Sequence, residues 1–184
     1  MAQTTRIKER QAAQAQRIKQ AQAFMVPDNI DVAILGGGAA GLCAAITAAE
    51  ALGANKRVVV FEKALESGRT ILATGGGRCN FTNADLSFEN FSHPEFVQAV
   101  CRDKGTFLAD ILSFFRSSGL AWATEDEGRM YPLTRQASSI QSLLLRRAQK
   151  AGVQFALGRK VTSVNPQHNG FTVTFQECFA GEKT

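Results

Sequence analysis

A glycine-rich turn between two apolar runs constrains the fold of this chain more than any other feature. Residues 30–35 form a short, largely apolar run, and the turn Gly-Gly-Gly-Ala-Ala-Gly follows at once over residues 36–41. Residues 39–52 are rich in Ala, Leu and Ile, and residues 57–62 form a second apolar run. A strand, a tight turn, a helix and a second strand in this order predict a βαβ unit with parallel strands and a right-handed crossover.

The spacing of the glycines in this turn indicates a binding site for a pyrophosphate. Gly36, Gly38 and Gly41 fit the pattern G-x-G-x-x-G. The first glycine permits a tight turn, the second lets the backbone approach a pyrophosphate, and the third lets helix and strand pack closely. Glu62 follows Gly41 by about 20 residues and is placed to accept hydrogen bonds from a ribose. An acid at this position suits FAD or NAD better than NADP.

A second glycine-rich segment, Thr-Gly-Gly-Gly-Arg-Cys-Asn-Phe-Thr-Asn over residues 74–83, has the composition of a ligand-binding loop. Its three consecutive glycines allow the backbone to lie against a flat ring or a sugar. Arg78 offers a fixed positive charge, and Asn80 and Thr82 offer both donors and acceptors. The pattern alone is equally compatible with a structural Ω-loop.

Taken together, these motifs resemble those of the BaiN-like flavoproteins, also called the aminoacetone oxidase family, of the glutathione-reductase-like FAD superfamily. The resemblance covers about residues 30–178. It is carried by residues 36–41, by the Glu62-Lys63 pair, by residues 68–83 and by Gly-Arg-Met-Tyr-Pro at residues 128–132.

The resemblance implies FAD bound in an extended form, with two groups of contacts. The adenosine half would meet Glu62 at its ribose, Lys63 at the edge of the adenine and the backbone of Val161 at the adenine itself. The pyrophosphate would be held by the first turn, at Gly36, Gly38, Ala39, Ala40 and Gly41. The flavin half would face the second loop, at Thr74, Gly75, Gly76, Gly77, Arg78, Cys79 and Asn80.

The resemblance also implies NAD(P)H as the reductant and leaves the substrate open. Activities in the family include NAD(P)H-linked reduction of steroid-like substrates, oxidation of small amines and reduction of a uridine in ribosomal RNA. Catalytic residues and the oligomeric state are not indicated by the sequence. Cys79 is either a reactive thiol or a small packing residue, and His93 and His168 have no partner visible in the sequence.

The remaining sequence predicts further helices and strands of an α/β protein. Pro94 suits the first position of a helix, Gly105 a break and Gly119 a stop. Five further strands and one helix are expected after Gly119. They are a small antiparallel pair over residues 120–124 and 129–131, a helix from residue 138 or 139 to Lys150, and strands over residues 153–157, 160–164 and 171–175.

The predicted architecture is a Rossmann-like FAD/NAD(P)-binding domain of three layers (ββα) with a small antiparallel β element. Residues 1–24 are interpreted as a basic Gln/Ala-rich tail, and residues 25–184 as the N-terminal portion of the FAD-binding domain. Family members are about twice this length or more, so we expect a fragment or a truncated reading frame without the substrate domain and without the C-terminal segment that closes over FAD. An inactive dinucleotide-binding module is the alternative. Met25 is a second possible start.

The charge of the chain is concentrated at its N-terminus. The net charge is +5, and residues 1–24 contribute +4 from five basic residues and Glu9. The tail is interpreted as a solvated extension, with RNA or an acidic surface as alternative contacts.

Four cysteines without a C-x-x-C pair predict neither a zinc site nor a disulfide framework, and therefore a reducing, cytoplasmic setting. No apolar run is long enough to cross a membrane.

Overall fold

The computed structural model describes residues 2–101 and 107–179. The described helices are α1 Ala2–Ala23, α2 Ala39–Leu52, α3 Pro94–Val100, α4 Phe107–Ser117 and α5 Ala137–Lys150. The described strands are β1 Val32–Leu35, β2 Val58–Glu62, β3 Thr82–Asn83, β4 Trp122–Thr124, β5 Arg129–Pro132, β6 Gln154–Leu157, β7 Arg159–Gln167 and β8 Gly170–Glu177. The chain divides into a first unit, Met1–Arg69 with Leu145–Thr184, and a second unit, Thr70–Leu144.

A parallel three-stranded sheet in the order β1-β2-β6 forms the centre of the first unit. Val32 is in register with Val58, and Val60 with Phe155. The β1-α2-β2 segment confirms the βαβ unit that the sequence predicts. The predicted strand at residues 153–157 is also present, and it joins this sheet beside β2.

The sheet of the first unit is covered by two different layers. Val59 and Phe61 of β2 pack with Val161 of β7 and Phe175 of β8, which form an antiparallel hairpin. Side chains alternate along a strand, so Val58 and Val60 point to the opposite face, and all four β2 residues are at most 3% exposed. Helix α2 packs against β1 and β2 and buries one face, formed by Leu42, Ala45, Ile46 and Ala49. Hairpin, sheet and helix are the three layers expected from the sequence.

The apolar sequence of strand β1 is typical of a buried parallel strand, but the strand is only partly buried. Its residues alternate between half-buried and exposed, and Leu35 is 48% exposed. The reason is its position, because β1 lies at the edge of the described sheet and pairs with β2 alone. A strand with one neighbour has less of its surface covered than a central strand such as β2.

Residues 2–23, interpreted from the sequence as a tail, form the helix α1. Ala and Gln carry no strong helix-breaking tendency, and the segment lacks Gly and Pro. Most of the described α1 side chains are exposed, but Ala21 is buried, so the helix ends against the first unit.

The second unit contains an antiparallel sheet in the order β3-β5-β4. The predicted pair is confirmed as β4 and β5, and β3 is an additional strand within the glycine-rich segment. Phe81 anchors an aromatic cluster beside this sheet, with ring centroids 4.8 Å from Phe115 and 6.1 Å from Trp122.

Helices α3 and α4 begin and end close to where the sequence places them. Pro94 is in the first turn of α3, and Gly119, with φ of +88°, follows the end of α4. The predicted break at Gly105 lies outside the described residues. Short 3₁₀ turns over Arg69–Gly77 extend into the loop expected at residues 74–83, and they are interrupted at Thr74, Gly75 and Gly76.

Candidate functional site

The turn after β1 places backbone groups at the N-terminus of α2. Gly36 has φ of +102°, a conformation that favours glycine, and its N–H donates to the carbonyl of Phe61 at 2.8 Å. Gly38 caps α2 without a side-chain hydrogen bond. The first N–H groups of a helix have no partner within the helix, and they attract anions. The geometry therefore fits the anion site predicted from the glycine spacing.

The glycines of this turn differ in how closely other atoms approach them. A Cβ on Gly41 would collide with the carbonyl oxygen of Gly36, so this glycine is required by close helix–strand packing. A Cβ on Gly37 would collide with Ser67, and the carbonyl of Gly37 accepts a 2.6 Å hydrogen bond from Gly68 N–H. A Cβ on Gly36 would meet nothing within 4 Å. Beside Gly36 the chain therefore leaves open space for a ligand.

Glu62 has a structural role that the sequence analysis did not foresee. One carboxylate oxygen accepts a hydrogen bond from Gly37 N–H at 2.7 Å, and the other accepts one from Ala64 N–H at 2.8 Å. The side chain thus ties the glycine turn to the end of β2. A carboxylate has about four acceptor positions, so these two bonds leave capacity for the hydroxyl groups of a ribose.

The other predicted adenosine contacts lie in the same unit. Lys63 is exposed directly after Glu62. Val161 is half-buried on β7, where its side chain packs against the cluster of Val59, Phe61 and Ala156. A β-bulge separates Val161 from Ser163 and locally interrupts the pairing with β8. The first unit thus carries residues 36–41, Glu62, Lys63 and Val161.

The second glycine-rich segment forms a tightly folded loop in the second unit. Thr74 Oγ1 donates to the carbonyl of Ile71 at 2.7 Å, and Cys79 N–H donates to the carbonyl of Thr74 at 3.1 Å. Gly75, Gly76 and Gly77 all have positive φ. A Cβ on Gly75 would lie 2.9 Å from the backbone nitrogen of Asn80, whereas one on Gly76 would meet nothing within 4 Å.

Arg78 is held in one orientation by an aromatic ring and a carboxylate. Its guanidinium lies 4.3 Å from the centroid of the Tyr131 ring and donates to the Tyr131 hydroxyl at 3.3 Å. It also donates to Glu125 at 3.0 Å, and the other Glu125 oxygen lies 2.9 Å from Arg135. A guanidinium has five N–H donors, so these two bonds leave donors for a ligand. Tyr131, Glu125 and Arg135 could not be recognised from the sequence because they act through contacts distant along the chain.

Cys79 and Asn80 support the loop. Cys79 is 7% exposed, which favours packing over the reactive thiol considered from the sequence, since reactive cysteines are partly exposed. Its φ of +60° is unusual for a residue other than glycine. Asn80 Oδ1 accepts a 3.2 Å hydrogen bond from Met130 N–H and so ties the loop to β5.

The remaining candidates of the sequence analysis have ordinary surroundings. His93 is exposed 3.4 Å from Glu95, and His168 is exposed beside Asn169. Within residues 2–101 and 107–179, no group of three His, Cys, Asp or Glu side chains is placed to hold a metal ion. In the same part of the chain, no helix has both the length and the apolar character to span a bilayer.

Titratable groups near α2 are shifted by identifiable contacts. Hydrogen bonds from Arg147 lower the pKa of Glu50, and the same contact raises the pKa of Arg147. Burial raises the pKa of the Cys43 thiol, while the Arg147 charge acts in the opposite direction. The backbone N–H of Arg57 and the Lys56 ammonium lower the pKa of Asp31. None of these groups belongs to the two glycine-rich segments.

Fold and glycine turn together define a Rossmann-type dinucleotide-binding domain. The profile of the HI0933-like protein Rossmann domain matches residues 30–183. The chain therefore belongs to the HI0933-like family, and the resemblance to BaiN-like flavoproteins is confirmed.

Two curated relatives show how much of the sequence is shared. The 3-dehydro-bile acid delta(4,6)-reductase of Clostridium scindens is 36% identical over 144 residues, covering 77% of this chain and 34% of that protein. A ribosomal RNA dihydrouridine synthase of Escherichia coli is 30% identical over 156 residues, covering 84% of this chain and 38% of that protein. The chain spans about a third of the length of the curated relatives it matches.

Solved structures show the same fold. The 3-ketosteroid-delta4-(5alpha)-dehydrogenase of Rhodococcus jostii RHA1 aligns with a TM-score of 0.52 at 18% identity, over 83% of this chain and 45% of that chain. The FrdA subunit of E. coli quinol fumarate reductase aligns with a TM-score of 0.52 at 17% identity, over 76% of this chain and 27% of that chain. At this identity the likeness concerns the fold alone.

Proposed function

We propose that this chain binds FAD and forms the cofactor-binding part of an oxidoreductase. The observation that carries the proposal is the turn at residues 36–41. Gly38 caps α2 without a side-chain bond, and the space beside Gly36 is open. A pyrophosphate at this point would accept hydrogen bonds from backbone N–H groups and complement the positive end of the helix dipole.

The two glycine-rich segments would have different tasks toward FAD. Glu62 would orient the adenosine ribose while it holds Gly37 in place. In the second unit, Arg78 would present its remaining donors to the flavin half, in an orientation set by Tyr131 and Glu125. The flavin, when bound, would supply two-electron hydride chemistry between NAD(P)H and a substrate. The protein itself would bind the cofactor and orient it.

The names of the relatives suggest a substrate class for the whole protein. A delta(4,6)-reductase and a dihydrouridine synthase both saturate a carbon–carbon double bond. In such a reaction one carbon gains a hydride and the other a proton, while NAD(P)H is oxidised to NAD(P)⁺. We therefore propose an unsaturated small molecule as the substrate class, with a uridine of ribosomal RNA as the second candidate.

Four free cysteines support a reducing, cytoplasmic setting for this activity.

Replacing Gly38 by Ala tests the proposed cofactor site. Gly38 has φ of −75° and ψ of −171°, which alanine adopts without strain. The added methyl group would occupy the approach of the pyrophosphate, so we expect FAD affinity to fall by about tenfold or more. The purified chain is titrated with FAD, and binding is monitored by the quenching of flavin fluorescence. The flavin absorption spectrum is then recorded after desalting.

Thr47→Ala, an exposed change on the same helix, is the control and should leave FAD affinity unchanged. Thermal unfolding of both variants without FAD shows whether the fold is intact. Equal affinity of wild type and Gly38→Ala, with both folded, would remove the pyrophosphate site from the proposal.

A further inference from the structure

Helix α1 carries a positive charge that few acids balance. It contains Arg6, Lys8, Arg10, Arg17 and Lys19, with Glu9 as its one acidic residue. The helix precedes the residues that match the family profile, which begin at residue 30. The remaining chain has a net charge of about +1, so α1 is the main cationic surface in the sequence.

Three arginines of α1 lie on one side of the helix. Arg6, Arg10 and Arg17 are separated by four and seven residues, which corresponds to about one and two helical turns. Their side chains therefore form a row with spacings of about 6 and 10 Å along the axis. Arg6 and Arg10, at positions i and i+4, repel each other unless an anion lies between them.

The C-terminal end of α1 is fixed to the first unit. Arg159, 4% exposed on β7, contacts two carbonyl oxygens at 3.5 Å, that of Ala21 in the last turn of the helix and that of Phe24 directly after its end. The same guanidinium pairs with Glu177 at 3.2 Å. These contacts hold the C-terminal end of α1, whose side chains are exposed from Thr5 to Arg17.

Arg17 is paired with Glu66 at 3.0 Å. Arg6 and Arg10 lie more than one turn from Arg17 toward the exposed end of the helix.

The composition of α1 favours a nucleic acid over an anionic membrane surface as its partner. Ile7 and Ile18 are its large apolar residues, and Ile7 is 51% exposed. A membrane-surface helix needs a continuous apolar face, which two isoleucines do not provide. Glutamines fill much of the remaining surface, and their amides can hydrogen-bond to phosphates and sugars.

We propose that α1 binds the phosphate backbone of RNA without reading its sequence. Arg6 and Arg10 supply the charge, next to Arg17, which pairs with Glu66, and Arg159 holds the helix against the body of the protein. The proposal does not depend on FAD, because α1 and its anchoring contacts involve no residue of the glycine turn. If the substrate is a uridine of ribosomal RNA, the second candidate of the proposed function, α1 would hold that RNA on the protein.

The test is fluorescence anisotropy of a labelled RNA hairpin titrated with the full 184-residue chain without FAD, over a series of salt concentrations. Two to three phosphate contacts predict a slope of log K against log[salt] of about −1.5 to −2.5. Arg6→Gln with Arg10→Gln should lower affinity about 10- to 50-fold near 0.1 M salt and make the slope shallower by about 1.5.

Lys150→Gln with Lys160→Gln removes the same charge from exposed positions outside α1 and is the matched control. We expect it to change affinity less than threefold. Circular dichroism of both double variants checks that helix content is retained. Equal losses in the two variants, binding independent of salt, or binding to anionic vesicles without binding to RNA would each overturn the proposal. FAD titration of the same samples keeps this result separate from the proposed cofactor site.

Discussion

At the scale of single residues, two carboxylates organise the two glycine-rich segments. Glu62 connects the backbone of Gly37 with that of Ala64, and Glu125 lies between Arg78 and Arg135. Each acid uses both of its oxygens on its own chain. A residue expected from sequence to face only a ligand can therefore also be required to shape the site before any ligand arrives.

Glu62→Ala should destabilise the chain in the absence of FAD. The change leaves two partly buried N–H groups without their acceptor, and we expect a loss of about 1–3 kcal/mol in the free energy of unfolding. Urea unfolding of the cofactor-free chain measures this loss. Glu95→Ala, an exposed change on α3, should alter stability by less than about 0.5 kcal/mol. Equal stability of the two variants would show that Glu62 does not support the turn.

The sequence predicted the residue types of the site better than their contacts. The glycine turn could be predicted because strand, turn and helix follow one another directly in the sequence, whereas the roles of Gly36, Gly38 and Gly41 toward a pyrophosphate stay predictions. Tyr131 and Glu125 could not be predicted, because they reach Arg78 from β5 and from the turn before it, 53 and 47 residues further along the chain. Contacts across a fold leave no periodic signal in the sequence.

At the scale of elements, a charged contact joins two helices of the parallel-sheet region. Arg147 on α5 donates to both oxygens of Glu50 on α2, at 2.7 and 2.8 Å. This contact lowers the pKa of Glu50 below its ordinary value of 4.5. Because the folded pKa is lowered, the contribution to stability is present above the ordinary pKa and is lost as the pH falls through the folded pKa.

Glu50→Gln should therefore have a pH-dependent effect. At pH 7 we expect a loss of about 0.5–1 kcal/mol, because the Glu50 side chain is 43% exposed and water screens the pair. As the pH falls through the lowered pKa of Glu50, wild type and variant should converge, since both then carry a neutral side chain at this position. Urea unfolding at pH 7 and at a series of lower pH values measures the difference. A difference that stays constant with pH would show that charge is not its cause.

The order of elements along the chain was largely predictable, and their surroundings were not. The bounds of α2 were predicted to the residue because Gly38 and Gly53 mark its ends. Helix α1 was not assigned, since it has no apolar face from which a helix could be recognised. The 3₁₀ turns within residues 69–77 depend on hydrogen bonds of single side chains such as that of Thr74, which composition does not reveal.

At the scale of the whole molecule, the chain combines a family domain with an added cationic helix. The domain match covers residues 30–183, and the matched segments cover 34% and 38% of the two curated relatives. The positive charge of α1 and the proposed cofactor site therefore lie in different segments of the chain. Each can be tested without disturbing the other.

The edge position of β1 has a consequence for the behaviour of the isolated protein in concentrated solution. In the described sheet β1 pairs on one side only, so its other side presents a row of backbone donors and acceptors beside exposed Leu35. Such an edge can recruit the same strand of a second molecule and start aggregation.

Ala33→Lys, an exposed position on β1, should slow aggregation at high protein concentration, as measured by light scattering over time. Ala44→Lys adds the same charge at an exposed position on α2 and should have a smaller effect. If both variants aggregate at the same rate, net charge rather than the strand edge controls self-association. If only the β1 variant is protected, this edge determines how the protein must be handled and which single change makes it easier to keep in solution.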